Sequence, residues 1–475
     1  MATKKKTDAP EKSKGELLKE QLCMTKKYSY DIMTEEQVKE CYDYCEDYKK
    51  FLDAAKTERE CVTYAVEYLE KNGFKPFEYG KKYKKGDKFY LNNRGKAIYI
   101  VVVGKKSFEE GIHVAAAHVD SPRIDLKQNP LYEDNNLAFF KTHYYGGIKK
   151  YQWVTLPLAL HGVVMTGEGK KVEVCIGEDE NDPVLYITDL LPHLGKDQAG
   201  KPLYNAFTGE DLNVLCGSRP FADDKVSEKV KLNVLALLNE KYGITEVDFL
   251  SSELSVVPAS KARDVGFDRS LIGSYGHDDR VCAYPILTAI VDTAGKNDHT
   301  AVTIFADKEE TGSETNTGMT SYAFEDMLKE MCINAGQNHR KMFANSKCLS
   351  ADVNAGFDPN FGGVYESRNT AFINKGVCVT KFTGGGGKCS TNDAHAEYVS
   401  YVRNLLDNAG VIWQMGELGK VDQGGGGTVA KVLALLNIDV IDVGVPVLSM
   451  HAPVEVVAKT DVWSAYNAFV AFFKD

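Results

Sequence analysis

A chain of 475 residues is long enough for two or three domains and a large core, and 43% hydrophobic with 26% charged residues is the balance of an ordinary globular protein. A formal net charge of −10 argues against nucleic acid as a partner for the chain as a whole, and no apolar run approaches the ~20 residues that cross a bilayer. The 11 cysteines are odd in number, scattered and never paired as C-x-x-C, which disfavours a disulfide framework or a thiolate metal site and favours a reducing cytoplasm.

Residues 1–15 carry lysines with no apolar stretch behind them, so they read as a disordered, solvated tail and not as a secretory signal. From Leu17 to Asn72 the chain is charged, free of proline and helical in its spacing, with Val38, Tyr42, Cys45 and Phe51 and then Val62, Ala65, Val66 and Leu69 recurring on one side. Strands follow at 89–91, 97–103 and 112–117, and the last delivers HVDSPRID, where His118 stands two residues before Asp120. A buried histidine tied to a nearby carboxylate is common in cores; as a metal ligand it would use that carboxylate to fix its tautomer.

From about residue 131 to 260, short β-rich runs alternate with polar turns such as GEGKK and GEDENDP. The strand–helix rhythm stops there, which predicts an inserted β-rich domain within an α/β chain whose discontinuous main domain spans 16–130 and 261–475. His143, His161 and His193 have no companions at ligand spacing and read as structural. The rhythm resumes at GHDDR, 276–280, before an apolar helix, where Asp278 is by default a helix N-cap.

The strand Ala301–Phe305 then runs into Asp307, Glu309 and Glu310 ahead of Gly312. An amphipathic helix is predicted over Met319–Ile333, a short apolar run reaches Asp352, and a strand through IDVIDVGVPVLSM delivers His451. The closing helix places Trp463, Tyr466, Phe469 and Phe472 on its apolar side, as core residues.

Apolar runs that each end in a potential ligand suggest one site built from distant segments, because open α/β sheets collect ligands at the carboxyl ends of their strands. His118, Asp278, Glu310, Asp352 and His451 form the nitrogen and oxygen set of a dinuclear zinc site, with at least one bridging carboxylate. Paired metals polarise a carbonyl and lower the pKa of a bridging water towards roughly 7. Glu309, next to Glu310, is the candidate general base.

HVDSP, YGG at 145–147, DDR at 278–280, the Glu309–Glu310 pair before TGS, SAD at 350–352 and LSMH at 448–451 occur in the order seen in the aspartyl aminopeptidase and vacuolar aminopeptidase I family, which the chain resembles from about Val114 to its end. The resemblance implies a zinc-exopeptidase-like mixed sheet flanked by helices, with the insertion acting as a dimerisation or lid domain. It implies two zinc ions per subunit, with cobalt or manganese as substitutes: Asp278 bridging, His118 and Asp352 on one ion, Glu310 and His451 on the other, Glu309 as base and Asp120 orienting His118.

The activity so implied is removal of amino-terminal residues from peptides by a cytoplasmic homododecamer built from dimers. Lys375 and Met450 are the candidate substrate-binding residues. The glycine-rich stretches 384–387 and 424–427 differ from the family pattern and are expected to line the substrate pocket. The first fails the phosphate-loop spacing, with Phe382 where a glycine is required and Cys389 in place of the hydroxyl. The alternative to an enzyme is a catalytically silent assembly or binding protein on the same scaffold.

Overall fold

Alternation decides which way each central side chain turns. In Ala97–Val102, Ile98, Ile100 and Val102 enter one core cluster and Tyr99 and Val101 another; Ile112–His118 divides Ala115 and Ala117 from Val114 and Ala116 in the same way. A sheet apolar on both faces must be covered on both. The computed structural model, which describes residues 12–25 and 27–475, covers one face with the helices Glu35–Ala54, Glu58–Lys71, His277–Asp292, Ala396–Asn408 and Lys459–Lys474. Ala323–Ala335, His339–Ala344 and Ala430–Ala434 cover the other.

Between them lies a nine-stranded mixed sheet, in the order 75–76, 88–93, 97–102, 300–306, 112–118, 347–350, 439–444, 377–380, 413–415. Its four central strands, Thr300–Ala306, Ile112–His118, Lys347–Ser350 and Asp439–Gly444, run parallel, so their carboxyl ends share one edge. Gly444 lies so close to the segment after Lys347–Ser350 that a Cβ there would sit 1.7 Å from the Asp352 carbonyl oxygen. Only glycine permits that approach.

A second, antiparallel sheet of seven strands takes the chain from Arg123 to Pro258. Ser252–Pro258 pairs with both Arg123–Asp134 and Pro157–Met165, which closes six strands into a ring around Trp153, Phe140 and Phe249. Its first strand starts at Arg123, ahead of the change in texture at residue 131, because the chain runs straight from the HVDSP segment into the new sheet. A third sheet joins 263–265, 271–274, 455–458, 446–448 and 354–355.

Several local expectations are corrected. Of the tail, residues 1–11 lie outside the described residues, while Ser13 caps a helix that opens at Lys14, inside the segment read as disordered. The helix expected from Met319 begins at Ala323, after a turn. The run towards His451 is two strands, Asp439–Gly444 in the large sheet and Pro446–Leu448 in the small one. Asp278 is not an N-cap: Gly276 holds that position, and Asp278 and Asp279 have non-helical backbone angles joined by a cis peptide. Among the described residues no helix is long and apolar enough to cross a membrane, and the cysteines are free.

Candidate metal centre

Three strand ends and one helix start converge. His118 closes its strand, Glu309 and Glu310 occupy a tight turn after Thr300–Ala306, Asp352 follows Lys347–Ser350, and Asp278 opens the long buried helix. His451 arrives from the small sheet in a left-handed backbone conformation, φ 65°. Asp278 lies at the middle, its Oδ1 3.2 Å from His118 Nε2 and its Oδ2 3.1 Å from His451 Nε2. Asp352 Oδ1 is 3.9 Å and Glu309 Oε2 4.0 Å from His118 Nε2, and Glu310 Oε1 is 3.5 Å from His451 Nε2. Asp279, which sequence reasoning passed over, clusters with Asp278 and Asp352, but one of its oxygens accepts the His118 backbone N–H.

The donor set fits metal ions. Asp278 Oδ1 and Glu310 Oε1 are buried and make no hydrogen bond, although an imidazole nitrogen stands within 3.5 Å of each. Lone pairs that approach without pairing converge on shared points between them. Among the described residues no lysine or arginine forms an ion pair with Asp278, Glu309, Glu310 or Asp352. Burial holds the Glu309, Glu310 and Asp352 carboxyls above their ordinary values, reinforced by the neighbouring acids. Burial opposes charge on the histidines too, yet the carboxylates around them prevail: His118 is held well above its ordinary value and His451 is raised to about 10. Divalent cations relieve such crowded negative charge.

Each histidine is fixed from behind. His118 Nδ1 donates to the Asp120 carbonyl and His451 Nδ1 to the Gly147 carbonyl, both at 2.9 Å. A carbonyl only accepts, so Nδ1 carries a proton whatever the charge of the ring, and Nε2 is the nitrogen that a metal could take in place of a proton. Asp120 thus stands where it can orient His118, through its carbonyl and with its carboxylate Oδ1 3.5 Å from the same Nδ1. Its carboxylate accepts the backbone N–H groups of Glu309 and Glu310 at 3.1 and 3.2 Å and the Tyr145 hydroxyl at 2.5 Å. Sequence reasoning missed Glu455, which acts in the same way on the other side: it accepts the backbone N–H groups of Asp278 at 3.0 Å and His451 at 2.7 Å.

The aminopeptidase I zinc metalloprotease model, M18, matches residues 51–473. The chain belongs to the M18 family. The probable M18 family aminopeptidase 1 of Clostridium acetobutylicum is 48% identical over 457 residues, covering 94% of this chain and 98% of the relative. The crystal structure of an M18-family aminopeptidase from Thermotoga maritima superimposes with a TM-score of 0.90 at 42% identity, covering 95% of this chain and 99% of that one. That of aminopeptidase I from Clostridium acetobutylicum gives 0.90 at 46% identity, over 96% and 100%. The fold is therefore that of the M18 aminopeptidases.

In this M18 chain the cluster opens into a cavity of about 450 Å³, lined beyond the metal-ligand candidates by Asn354, Thr380, Thr428, Lys431, Asp442 and Met450. Met450 is thus at the site, and Lys375 is not: its ammonium lies over the Phe372 ring, and the flanking Asn374 and Gly376 backbones donate to Asp461 of the closing helix. The cation that does line the cavity, Lys431, follows the second glycine loop. Gly425–Gly427 line the cavity, while Gly384 packs against that loop, its N–H 2.5 Å from the Gly426 carbonyl oxygen. A Cβ on Gly425 would sit 1.8 Å from the Gly384 oxygen, so the glycines permit close contact between the two loops.

Proposed function

We propose that this M18 aminopeptidase holds two zinc ions at the cluster and uses Glu309 as general base to release amino-terminal residues from peptides. The observation that carries the reading is Asp278, one oxygen turned to His118 and the other to His451. That is the disposition of a bridging ligand, with Asp352 completing the His118 side and Glu310 the His451 side. Bound there, the two ions would polarise the scissile carbonyl and acidify a bridging water. Glu309 Oε2 stands 4.0 Å from His118 Nε2 and groups with His118 and Asp352 at ligand spacing, but in this reading His118, Asp352 and the bridging Asp278 fill that side without it. It is therefore free to take the proton of the attacking water and hand it to the leaving amine. Asp120 fixes the turn that presents Glu309, through the two backbone N–H groups it accepts.

The oligomer belongs to the same proposal. Leu190, Leu191, Leu194, Leu203 and Tyr204 are each exposed within residues 190–204 of the inserted segment, apolar surface of the kind that partners cover. The solved S. cerevisiae mApe1 dodecamer shares the fold at 21% identity and a TM-score of 0.75. We place a dimer contact on the inserted segment and expect the dimers to build a dodecamer.

The test is metal reconstitution. Protein stripped by a chelator should regain hydrolysis of leucyl p-nitroanilide with zinc, cobalt or manganese, and the Glu309→Gln variant should bind two ions without turnover. Full activity in that variant would reassign the base. No recovery with any metal would favour a silent scaffold.

A further inference from the structure

The turn that carries Glu309 has space on two sides. Glu309, Glu310, Gly312 and Ser313 line the cavity of the metal cluster, while Lys308 and Thr311 line a second cavity of about 710 Å³ together with Tyr145 and Arg123. A segment so placed is held by specific contacts more than by packing. The backbone N–H groups of Glu309 and Glu310 donate to the Asp120 carboxylate, and the Tyr145 hydroxyl donates to the same carboxylate. The ring of Tyr145 is in turn met by two cations, the Arg123 guanidinium carbon 4.3 Å and the Lys308 ammonium 4.7 Å from its centre. At such distances a cation is drawn to the negative face of the ring.

The two cations reach the ring from different places. Arg123 is 4% exposed and donates to Glu58 at 3.0 Å and to Asp125 at 2.8 Å, so it is fixed by the helix Glu58–Lys71 and by its own strand. Lys308 belongs to the turn itself, next to Glu309. Its charge counts in this neighbourhood: burial pushes the Glu58 carboxyl up, yet Arg123, Lys96 and Lys308 prevail and bring it down to about 2. The backbone at Lys308 is left-handed, φ 66° and ψ 18°, a conformation in which glycine or asparagine is the ordinary occupant and a lysine is strained. Position 308 therefore keeps a long cationic side chain where the turn alone would be better served without one. That side chain closes a circuit: Lys308 leads to Glu309, the Glu309 N–H to Asp120, Asp120 to Tyr145, and the Tyr145 ring back to the Lys308 ammonium.

We propose that Lys308 is a positioning residue for Glu309: its ammonium, held over the Tyr145 ring, locks the turn so that the Glu309 carboxylate keeps its place beside the metal cluster. The inference rests on the aminopeptidase reading above, in which Glu309 is the base, and adds to it a residue that does not line the metal cavity. The lock depends on charge, because the ring attracts a cation and not merely a side chain of the right length. Arginine can therefore replace Lys308, whereas asparagine, at ease in left-handed backbone but too short to reach the ring, cannot.

The experiment measures kcat, KM and bound metal for Lys308→Asn and Lys308→Arg on metal-reconstituted protein with leucyl p-nitroanilide. Lys308→Asn should lower kcat about tenfold with KM and metal content unchanged, and Lys308→Arg should stay within about threefold of wild type. Should the asparagine variant fail to fold, Lys308→Met takes its place, with a loss of about threefold expected. An unchanged kcat in the uncharged variant, an arginine variant as slow as the uncharged one, a rise in KM alone, or loss of an ion would each overturn the proposal. If wild type hydrolyses no aminoacyl substrate, the aminopeptidase reading fails separately. Whether Lys308 locks the turn is then decided by amide hydrogen exchange over residues 308–313: exchange at least about threefold faster in Lys308→Asn than in wild type and Lys308→Arg supports the lock, and equal rates in all three reject it.

Discussion

The two histidines of the centre are held by the same device built from different parts. Each ring donates from Nδ1 to a backbone carbonyl at 2.9 Å, and beside each a buried carboxylate accepts two backbone N–H groups of the ligand segments. On the His118 side the histidine, Asp120 and the turn at Glu309 come from neighbouring strand ends of the large sheet, with Tyr145 reaching in from the inserted sheet, and the His118 side chain is 2% exposed. On the His451 side, Glu455 and His451 belong to the small sheet and the segment leaving it, Asp278 to a helix start, and the carbonyl at Gly147 to a segment leaving the inserted sheet; the His451 side chain is 34% exposed. One half is closed to solvent. The other is assembled from two sheets and a helix start and is only as firm as their packing, so under the two-ion proposal the ion there should leave first.

The largest effect should come from a change that touches neither half. Glu309→Gln should reduce kcat by about 10²–10⁴ while two ions per chain remain, because it removes proton transfer and no ligand. Metal content by elemental analysis beside turnover decides it: loss of an ion would make Glu309 a ligand. Next, Glu455→Gln should weaken the His451-side ion by about 10–100-fold and leave the His118-side ion tight, turning chelator titration into two separated steps. Equal weakening at both positions would dissolve the distinction between the halves. Tyr145→Phe removes the 2.5 Å hydroxyl contact to Asp120 and should cost about tenfold in kcat, with metal content unchanged. A rise in KM alone would point to a substrate contact instead.

The convergence of His118, Glu310, Asp352 and His451 was legible because each follows an apolar run, the pattern that strands give when they deliver side chains to one edge, whereas Asp278 stands at a helix start. The same cue stood at Glu455, at the head of the apolar EVVA strand, but that strand belongs to a sheet whose members are two to four residues long, too short for any periodicity to register. The backbone duty of Asp120 was beyond reach for a related reason: a sequence shows side-chain spacing, and carbonyl and N–H partners appear only once the turn at Glu309 is closed. Lys375 misled because a loop lysine carries no sign of direction; its segment is pinned to Asp461, away from the cavity that Lys431 lines.

The smallest effect probes the joint that keeps the His451 half assembled. His161, on a strand of the inserted sheet, has Nδ1 2.7 Å from Glu60 of the helix Glu58–Lys71 and Nε2 3.1 Å from Glu178, which also holds Lys56. Burial disfavours its charge, but Glu178 and Glu60 prevail and raise its pKa above the ordinary 6.5. A histidine with a raised folded-state pKa contributes its full stabilisation below 6.5 and loses it as pH climbs through the raised value. Wild type should therefore exceed His161→Gln by about 1–3 kcal/mol in slightly acid buffer, with the gap closing on the alkaline side. Thermal midpoints of both proteins across that range measure it, and a gap that widens with pH would mean the folded ring is neutral. Because the inserted sheet leads directly to Gly147, the same alkaline loosening should quicken release of the His451-side ion and leave the His118-side ion in place.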